Sequence, residues 1–416
     1  MNFVIFSLYR YLVMPAAVLL MPFLGMFNRK LREGLKLRGH RAEPLPDGND
    51  PIWIHASSGE FEYAKSVIRE LKTEYPDVPI VVTYFSPTFS KAVMNFPNVD
   101  RAIALPLDLP GPCQSFLKKM HPRIFMIART DLWPEMLEQC RRHQIPVVIF
   151  SYTQRELFSR LKRMFHRWTM HWISRIYCVS ETDRENLEPL ALDAKVEVMG
   201  DTRYDQVAFR LAHPKAIAPG LHPKDDIPCL VAGSTWSEDE EVLLPAVKDS
   251  LQAHRLRLIL VPHEPTADHI AGLEKQLKQM GLTYALFSSG SWDGEHVLLV
   301  DKTGVLAELY LWGKFAFVGG SFRKTVHSVM EALGAGCLTF VGPKHENNRE
   351  ALQFRAIPMG VADGLEVVND AKEFQLRLET LLKTDLSEYH QTLKRHFASR
   401  LGASRKLTAS LSDLII

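Results

Sequence analysis

The sequence predicts an α/β protein in which two domains of similar size follow one another, each built on a parallel β-sheet covered by helices. Three observations support this prediction. From residue 50 onward, short apolar runs alternate with longer amphipathic stretches; a proline-rich stretch at 212–228 interrupts the pattern; the pattern then restarts. The length of 416 residues suits two domains after a short N-terminal segment.

The predicted strands of the first half lie at 51–56, 79–85, 123–128, 146–152, 175–180 and 196–200, with helices at 60–75 and 133–143. Those of the second half lie at 229–234, 255–262, 296–301, 314–320 and 337–342, with a helix at 237–254. The predicted domains are therefore 41–210 and 227–416, joined by a linker at 211–226, and the last helix is a candidate to pack back on the first domain. In open α/β sheets, ligands bind at the carboxyl ends of the strands, so the natural site is the cleft between two such domains.

Composition narrows the class of protein. Hydrophobic residues make up 46% of the chain and charged residues 24%, as in a soluble globular fold. The formal net charge of +2 gives no reason to expect nucleic acid, which needs a clustered basic surface. The five cysteines are scattered and form no C-x-x-C pair, which argues against a disulfide framework and a zinc site. They are Cys113, Cys140, Cys178, Cys229 and Cys337.

The N-terminal segment differs from the rest of the chain. An uncharged apolar run at 11–27 covers roughly 25 Å as a helix, near the lower limit for crossing a bilayer, and Pro15 and Pro22 are expected to kink it. Basic residues follow it, with only Glu33 opposing them: Arg29, Lys30, Arg32, Lys36, Arg38 and Arg41. The positive-inside rule then places the domains in the cytoplasm. A cleaved signal peptide is the alternative, but no small-x-small site follows the run. We expect residues 1–40 to be a retained membrane anchor that favours anionic lipid.

Polar residues follow three of the predicted strands in the first half. Ser57, Ser58, Gly59 and Glu60 precede a helix, where Glu60 either folds back as part of a capping box or faces a ligand as a proton acceptor. Asp131 is either an N-cap or a site residue, and Trp133 beside it is more often a core residue than a ligand platform. Arg203 follows the last strand and could grip an anion or pair with a surface carboxylate.

The second half has comparable loops. Gly233-Ser234-Thr235 runs from a strand into a helix with an acidic first turn; such a turn can hold an anion, although the acidic residues already complement the helix dipole. His263 follows the next strand, and its plainest interpretation is a loop histidine. The most specific signal is Gly319-Gly320-Ser321, then a predicted short helix carrying His327, Ser328 and Glu331, then a polar loop with Asn347 and Glu350. Helix starts suit a phosphate and carboxylates suit a ribose, but both glutamates could instead be salt-bridged helix residues.

These segments together resemble the Kdo transferases, GT-B glycosyltransferases that move 3-deoxy-D-manno-octulosonic acid (Kdo) from CMP-Kdo onto a lipid A precursor. The resemblance covers almost the whole chain. It is carried by HASSGE, RTDLWPE, GDTRYD, AGSTWSEDEE, LVDKTGVLAELY and FVGGSFRKTVHSVMEALGAGCLTFVGPKHENN. It implies two Rossmann-like domains facing across a cleft, preceded by a membrane-anchoring helix, with the acceptor on the N-terminal domain and CMP-Kdo on the C-terminal domain.

The resemblance also implies roles for residues. Glu60 is the expected general base, with Asp131 and Arg203 as further catalytic residues. The expected acceptor contacts are Ser57, Ser58, Gly59 and Trp133. The expected donor contacts are Gly233, Ser234, Thr235, Pro262, His263, Thr303, Gly304, Gly319, Gly320, Ser321, His327, Ser328, Val329, Met330, Glu331, Asn347 and Glu350. No metal or other cofactor is implied.

The sequence departs from the family pattern at several positions. One residue is missing before Gly59, Arg129 replaces a glutamate, and Arg203 replaces a lysine. Val305 replaces a glutamate, and Ser328 stands where asparagine is usual. These differences leave two alternatives to an inverting CMP-Kdo:lipid A Kdo transferase at the cytoplasmic side of the inner membrane: a lipid-acceptor GT-B transferase that uses a UDP-sugar, and a non-catalytic, membrane-tethered CMP-sugar-binding protein. A nicotinamide dehydrogenase is disfavoured, because no G-x-G-x-x-G follows a predicted strand.

Overall fold

A computed structural model describes residues 2–39, 50–156 and 159–415. Arg41, counted above among the basic residues, lies outside these ranges, as does the expected boundary between anchor and first domain. The chain divides into two compact units: unit 1 comprises 1–206 and 400–416, and unit 2 comprises 207–399. The division falls near the end of the first predicted domain, and the last residues of the chain belong to unit 1.

Unit 1 begins with three helices: α1 (Asn2–Leu8), α2 (Met14–Phe27) and α3 (Arg29–Gly39). A π-helical turn, Tyr9–Val13, joins α1 to α2, and Pro15 lies in the first turn of α2. The wider turn accommodates a proline that lacks an N–H donor and would crowd the preceding carbonyl groups. The candidate membrane helix, Ile5–Phe27, is 23 residues long. It therefore begins before the uncharged run at 11–27 that the sequence predicts as the apolar segment.

A seven-stranded sheet forms the centre of unit 1, with every strand pair parallel. The strands are β1 (Ile52–His55), β2 (Ile80–Tyr84), β3 (Arg101–Ala104), β4 (Ile124–Ala128), β5 (Val147–Tyr152), β6 (Arg175–Cys178) and β7 (Lys195–Val198). Their order is β3-β2-β1-β4-β5-β6-β7. The connectivity reverses between β1 and β4, which is where open α/β sheets place their ligands.

Helices cover both faces of this sheet. They are α4 (Phe61–Glu74), α5 (Ser90–Met94), α6 (Pro110–Met120), α7 (Pro134–Arg142), α8 (Arg160–Met170), α9 (Glu181–Glu185) and α10 (Thr202–Ala212). Their apolar side chains form one buried cluster on each side of the sheet. In α4, for example, Val67, Ile68 and Leu71 are fully buried, as the helical spacing of these residues predicts.

Unit 2 repeats the architecture with a second seven-stranded parallel sheet. Its strands are β8 (Cys229–Thr235), β9 (Arg257–Pro262), β10 (Tyr284–Leu286), β11 (Val297–Leu299), β12 (Gly313–Val318), β13 (Leu338–Val341) and β14 (Glu366–Val367). The order is β10-β11-β9-β8-β12-β13-β14. Its helices are α11 (Ser237–Gln252), α12 (Ala267–Gln279), α13 (Leu306–Tyr310), α14 (Met330–Ala335), α15 (Arg349–Arg355), α16 (Ala371–Leu382) and α17 (Ser387–Ala398).

The C-terminal segment contains α18 (Ala403–Ala409) and α19 (Ser412–Ile415), which pack within unit 1. Leu407, Leu411 and Ile415 are buried in the same cluster as α4 and β1. Asp205 fixes the start of α18, since its carboxylate accepts hydrogen bonds from the backbone N–H groups of Gly402 (2.6 Å) and Ser404 (2.7 Å).

The prediction of two α/β domains with parallel sheets is confirmed. Each predicted strand matches an observed strand, and the sequence missed three: β3, β10 and β14. All three are short and lie at or next to a sheet edge, where less apolar surface is buried and the sequence pattern is correspondingly weak.

Candidate functional site

In the loop after β1, the Glu60 side chain folds back onto Ser57 and Ser58. The Oε2 atom of Glu60 accepts hydrogen bonds from the Ser58 N–H (3.0 Å), the Ser58 hydroxyl (3.0 Å) and the Ser57 hydroxyl (3.3 Å). The Glu60 side chain thus folds back as expected, but the capping box does not form, because Glu60 itself occupies the N-cap position of α4 without a side-chain cap. Glu60 is half-buried rather than enclosed. A methyl group at Gly59 would have no neighbour within 4 Å, so the backbone beside this carboxylate is open.

Asp131 is held at the end of β4 by a buried histidine. His55 is fully buried, and its Nε2 lies 2.9 Å from Asp131 Oδ2, while its Nδ1 lies 2.9 Å from the Thr83 hydroxyl. The indole N–H of Trp133 also donates to Asp131 Oδ2 (3.1 Å). Burial alone would raise the pKa of Asp131, but hydrogen bonds from His55, Trp133 and Ser57 outweigh it and lower the pKa below its usual value. Asp131 is therefore an ionised carboxylate, and Ser57 contacts both it and Glu60.

The N-cap interpretation of Asp131 was wrong. Trp133 occupies the N-cap position of α7 without a side-chain cap, and Asp108 performs the capping from a different loop. The two Asp108 oxygens accept hydrogen bonds from the backbone N–H groups of Glu135 (3.0 Å) and Met136 (2.9 Å). Asp131 is therefore not needed at the start of α7, because the Asp108 carboxylate accepts the hydrogen bonds of that helix start.

Two arginines approach the ring of Tyr63, on the first turn of α4. Arg129 lies with its guanidinium carbon 4.9 Å from the ring centroid, and that of Arg203 lies 5.8 Å away. Arg129 also donates to the Tyr63 hydroxyl (2.8 Å) and the Thr153 hydroxyl (3.3 Å). Unit 1 therefore presents two carboxylates and two guanidinium groups on neighbouring loops at the carboxyl ends of its strands.

A cavity of about 520 Å³ adjoins these loops. Its lining includes Asp131 and Trp133, Tyr9 from the N-terminal helix, and Phe165 and Trp168 from α8. Trp133 lies at the margin of the core: it is half-buried, packs against a buried apolar cluster and stacks on Phe85 with ring centroids 5.0 Å apart. A polar rim of Asp131 beside aromatic and apolar walls suits a ligand that is part sugar and part hydrocarbon.

Two loops at the strand ends of unit 2 are brought together by glycines. The N–H of Gly319 donates to the Gly233 carbonyl (2.9 Å), joining the ends of β12 and β8. A methyl group at Gly319 would lie 2.3 Å from the Ser234 carbonyl oxygen, and one at Gly233 would lie 2.1 Å from the Tyr310 hydroxyl. A side chain at Gly319 would require the backbone of the neighbouring loop to move, and one at Gly233 would require the Tyr310 and Leu306 side chains to move, so both glycines have a steric cause.

Asp239 ties these two loops to the start of α11. This fully buried carboxylate accepts hydrogen bonds from three backbone N–H groups: Gly320 (2.7 Å), Trp236 (3.0 Å) and Phe322 (3.1 Å). Burial raises the pKa of Asp239, and the three hydrogen bonds oppose that rise. The acidic first turn of α11 therefore binds the protein's own loop.

His263 and His327 stack beside Trp236. The two imidazole rings are 4.2 Å apart and nearly parallel, and the Trp236 indole N–H donates to His327 Nε2 (2.9 Å). Because Nε2 accepts this hydrogen bond, the neutral His327 ring carries its proton on Nδ1. Burial and the neighbouring His263 lower the pKa of His327 to about 4. The guanidinium of Arg323 lies 3.8 Å from the Trp236 ring.

The helix predicted to carry His327 and Ser328 begins later than expected. Helix α14 starts at Met330, so His327 and Ser328 lie in the preceding loop and the structure corrects this prediction. The Ser328 hydroxyl donates to Glu331 (2.7 Å). In the loop that follows β13, Asn348 caps α15. The Asn347 side chain forms hydrogen bonds with both the backbone N–H and the carbonyl of Val326. Glu350, which is 8% exposed, has no hydrogen-bond or ion-pair partner in the described part of the chain.

Several other residues that are predicted to contact the sugar donor have buried side chains. Thr235, Ser321, Val329 and Met330 are fully buried, and Pro262 is buried at the end of β9. The Ser321 hydroxyl accepts from the Gly342 N–H (2.7 Å), and the Thr235 hydroxyl donates to Glu240 (2.8 Å). These side chains shape the loops from behind, so only their backbone groups can reach a ligand. Thr303 and Gly304 are exposed after β11.

Sequence reasoning missed four residues that position the site: His55, Tyr63, Trp236 and Asp239. His55 and Tyr63 belong to an apolar strand and an amphipathic helix, where they resemble core residues. Asp239 was noticed only as one acid in a run of four. Trp236 could have been found from its position, which is directly after Gly-Ser-Thr at the end of a predicted strand.

Comparison with known proteins agrees with this geometry. Residues 29–206 match the family model of the 3-deoxy-D-manno-octulosonic-acid transferases (kdotransferases). The chain is 28% identical over 397 residues to the 3-deoxy-D-manno-octulosonic acid transferase of Haemophilus influenzae, covering 90% of each chain. It is 27% identical over 391 residues to that of Bordetella pertussis, covering 87% of each.

The fold has solved relatives as well. UDP-GlcNAc 2-epimerase from Neisseria meningitidis, bound to UDP-GlcNAc, superposes with a TM-score of 0.60 at 15% identity, covering 88% of this chain and all (100%) of that one. Two parallel-sheet units of this kind, together with the solved relative, show a fold of the GT-B class. In sequence, the chain is similar over most of its length to 3-deoxy-D-manno-octulosonic acid transferases, and residues 29–206 carry the match to that family's model.

Proposed function

We propose that this protein transfers Kdo from CMP-Kdo to a lipid A precursor, with inversion at the anomeric carbon, during lipopolysaccharide synthesis. The observation that carries the proposal is the pair of carboxylates at the switch point of unit 1, Glu60 and Asp131, joined through the Ser57 hydroxyl. A transferase acting on a hydroxyl acceptor needs one carboxylate that accepts a proton. Both carboxylates are half-buried, and Glu60 is the one beside open backbone.

In this mechanism, Glu60 removes the proton of the acceptor hydroxyl as that oxygen attacks the anomeric carbon of Kdo. The bond from that carbon to the CMP oxygen breaks through an oxocarbenium-like state, and CMP leaves as a phosphate monoester. Asp131, ionised and fixed by His55, orients the acceptor and balances the positive charge that develops on the sugar. Its fixed position supports this role, because a preorganised carboxylate needs no rearrangement during the reaction.

On the donor side, we assign the nucleotide to the loops after β8, β12 and β13. The unpartnered carboxylate of Glu350 suits the vicinal hydroxyl groups of a ribose. The Nδ1–H of the neutral His327 ring and the backbone groups of the glycine loops are available to an anionic oxygen. Arg203, in unit 1, keeps its proposed role as a cation in the reaction.

Nucleotide competition separates this proposal from a UDP-sugar transferase. We expect CMP to raise the melting temperature of the purified protein and UDP to do so far less at equal concentration. Glu350→Gln should weaken the CMP effect, whereas Glu346→Gln, on an exposed residue of the same loop, should not. Equal or stronger stabilisation by UDP would contradict the assignment of the donor. Binding of CMP without turnover of CMP-Kdo on any lipid A precursor would instead favour the non-catalytic alternative.

We also propose that the N-terminal helices insert into the membrane as a hairpin rather than crossing it. The Tyr9 hydroxyl donates to Asp108 (2.6 Å), and the Arg38 Nε donates to the Leu105 carbonyl (3.0 Å), so both ends of the segment return to the loop between β3 and α6. The chain bends at Asn28, since a methyl group at Gly25 would lie 3.6 Å from the Arg32 Cα. The apolar part of the segment between these contacts is α2, of 14 residues and about 21 Å, which is shorter than the roughly 30 Å hydrocarbon core.

The surface next to this hairpin supports membrane association. Helix α8 contains no acidic residue and exposes Leu161 (73%) and Phe165 (57%) one turn apart. Its exposed basic residues are Arg160, Lys162, Arg163 and Arg167. Trp168 of the same helix contacts Tyr9 of the hairpin (ring centroids 6.0 Å). Apolar residues flanked by cations favour an anionic lipid surface.

The hairpin predicts where the N-terminus lies. In spheroplasts of a bacterial host, we expect an epitope fused before Met1 to be as resistant to external protease as one fused after Ile416, because both ends lie on the cytoplasmic side. A single crossing would expose the N-terminal epitope while leaving the C-terminal one protected. Digestion of the N-terminal epitope alone, in spheroplasts that retain a cytoplasmic marker, would contradict the hairpin.

A further inference from the structure

We infer that Arg129 forms a binding site for an anionic oxygen group, a phosphate or a carboxylate, at the carboxyl end of β4. The inference rests on the proposed function for its setting, but its main observation is independent of that function. Arg129 is a half-buried arginine at a ligand-binding edge, and its guanidinium group contacts no carboxylate in the described part of the chain.

The contacts of Arg129 are made with neutral groups. One guanidinium nitrogen donates to the Tyr63 hydroxyl (2.8 Å), another donates to the Thr153 hydroxyl (3.3 Å), and the group lies against the Tyr63 ring. Withdrawing a cation from water costs free energy that hydroxyl groups do not fully return, which is why buried arginines usually pair with acids. An anionic ligand would supply the missing charge.

The backbone presents this side chain in a fixed direction. Arg129 has a φ of 69°, in the left-handed region that non-glycine residues seldom adopt. Its N–H donates to the Phe150 carbonyl (2.9 Å), which holds the residue at the end of the sheet. A residue kept in a costly conformation at a strand end is a reason to look for a functional role.

Neighbouring charges favour an anion beside Arg129 over one elsewhere in the loops that carry Glu60 and Asp131. Arg203 approaches the same Tyr63 ring, so a second guanidinium group is close by. The two carboxylates of the cluster, Glu60 and Asp131, are bonded to Ser57, Ser58, His55 and Trp133 and accept no hydrogen bond from Arg129. Arginine binds planar or tetrahedral oxyanions with two parallel N–H groups, which matches either ligand class.

Two sources could provide the anion: a phosphate group on the acceptor or the carboxylate of the Kdo unit being transferred. Steady-state kinetics of Arg129→Gln distinguish them, because glutamine keeps a donor for Tyr63 and removes the charge. Loss of one charge-assisted contact corresponds to about tenfold weaker binding or more. We expect a rise of about tenfold in the KM of the substrate that carries the anion, with little change in the other KM.

The control variant is Arg405→Gln, which removes an exposed arginine of unit 1. A higher KM for the acceptor, absent when the acceptor is dephosphorylated, identifies a phosphate as the ligand. A higher KM for CMP-Kdo identifies the carboxylate. A change in kcat alone, or no difference from Arg405→Gln, overturns the inference. Arg129→Lys should recover part of the affinity, since it restores charge without the two-pronged geometry.

A second measurement separates failure of this inference from failure of the proposed function. Inorganic phosphate should raise the melting temperature of the wild-type protein more than sodium chloride of equal ionic strength. That excess should fall in Arg129→Gln, because one of the two proposed anion sites is lost, and persist in Arg405→Gln. If the wild type transfers no Kdo but shows this pattern, the result supports the anion site and contradicts the proposed reaction. If Arg129→Gln retains the full phosphate effect, the inference is overturned whatever the activity.

Discussion

Replacing Glu60 with glutamine should abolish Kdo transfer while leaving the protein folded. Loss of a general base removes about 10²- to 10⁴-fold in kcat, and the amide cannot take the acceptor proton. The fold should survive, because the glutamine side-chain oxygen can still accept hydrogen bonds from the Ser58 N–H and the two serine hydroxyl groups. The measurement is the initial rate of Kdo incorporation into a lipid A precursor, with CMP binding determined in parallel.

Glu62→Gln is the matched control for this variant. Glu62 lies two residues further along, in the first turn of the same helix, and forms an ion pair with Lys65 at the surface. It should retain nearly all activity. If Glu60→Gln kept an activity similar to that of Glu62→Gln, another group would have to be the base. If Glu60→Gln also lost CMP binding, a general loss of structure would explain the result.

Replacing Asp239 with alanine should destabilise unit 2 and impair nucleotide binding at the same time. The change leaves three N–H groups, those of Trp236, Gly320 and Phe322, without their acceptor in the protein interior. Removing the acceptor from buried, charge-assisted hydrogen bonds costs about 3–5 kcal/mol in the free energy of unfolding. The Gly319–Gly320 loop should also lose its position, so CMP should stabilise the variant less than the wild type.

Denaturant unfolding followed by tryptophan fluorescence measures the first effect, and Glu241→Gln is the control. Glu241 lies on the same helix and is exposed, so its replacement should change the free energy of unfolding by less than about 1 kcal/mol. A variant Asp239→Ala as stable as Glu241→Gln would contradict the role assigned to the buried carboxylate.

The fold could be predicted because each α/β unit has a strong local pattern. Strands such as β4 and β9 are buried on both faces and therefore form continuous apolar runs, and helices such as α4 show helical spacing of apolar residues. Strands β3, β10 and β14 could not be predicted in the same way, because they are short and their pattern is weak.

The site was less predictable because its key contacts join residues that are distant in sequence. Asp131 was a plausible cap until Asp108 proved to occupy that role, and its fixed geometry depends on His55, 76 positions away. The sequence predicts that Gly319 and Gly320 turn the chain, but the steric need for glycine arises from the carbonyl groups of Ser234 and Thr325. Motif residues thus indicate where a site lies, while their neighbours in space determine which side chains can act.

The N-terminal segment illustrates the same limit. Its hydropathy predicts association with a membrane, and the basic residues after it predict which side the domains occupy. Whether it crosses depends on contacts of Tyr9 and Arg38 with a loop near residue 105, which no local pattern reveals.

The most direct test of the central claim is to incubate the purified full-length protein with CMP-Kdo and a tetraacylated lipid A precursor, and to analyse the lipid by mass spectrometry. We expect the lipid to gain the mass of one or more Kdo units, and the number of units follows from the same spectrum. An unchanged lipid, with CMP-Kdo hydrolysing no faster than without protein, would contradict the proposed transferase activity.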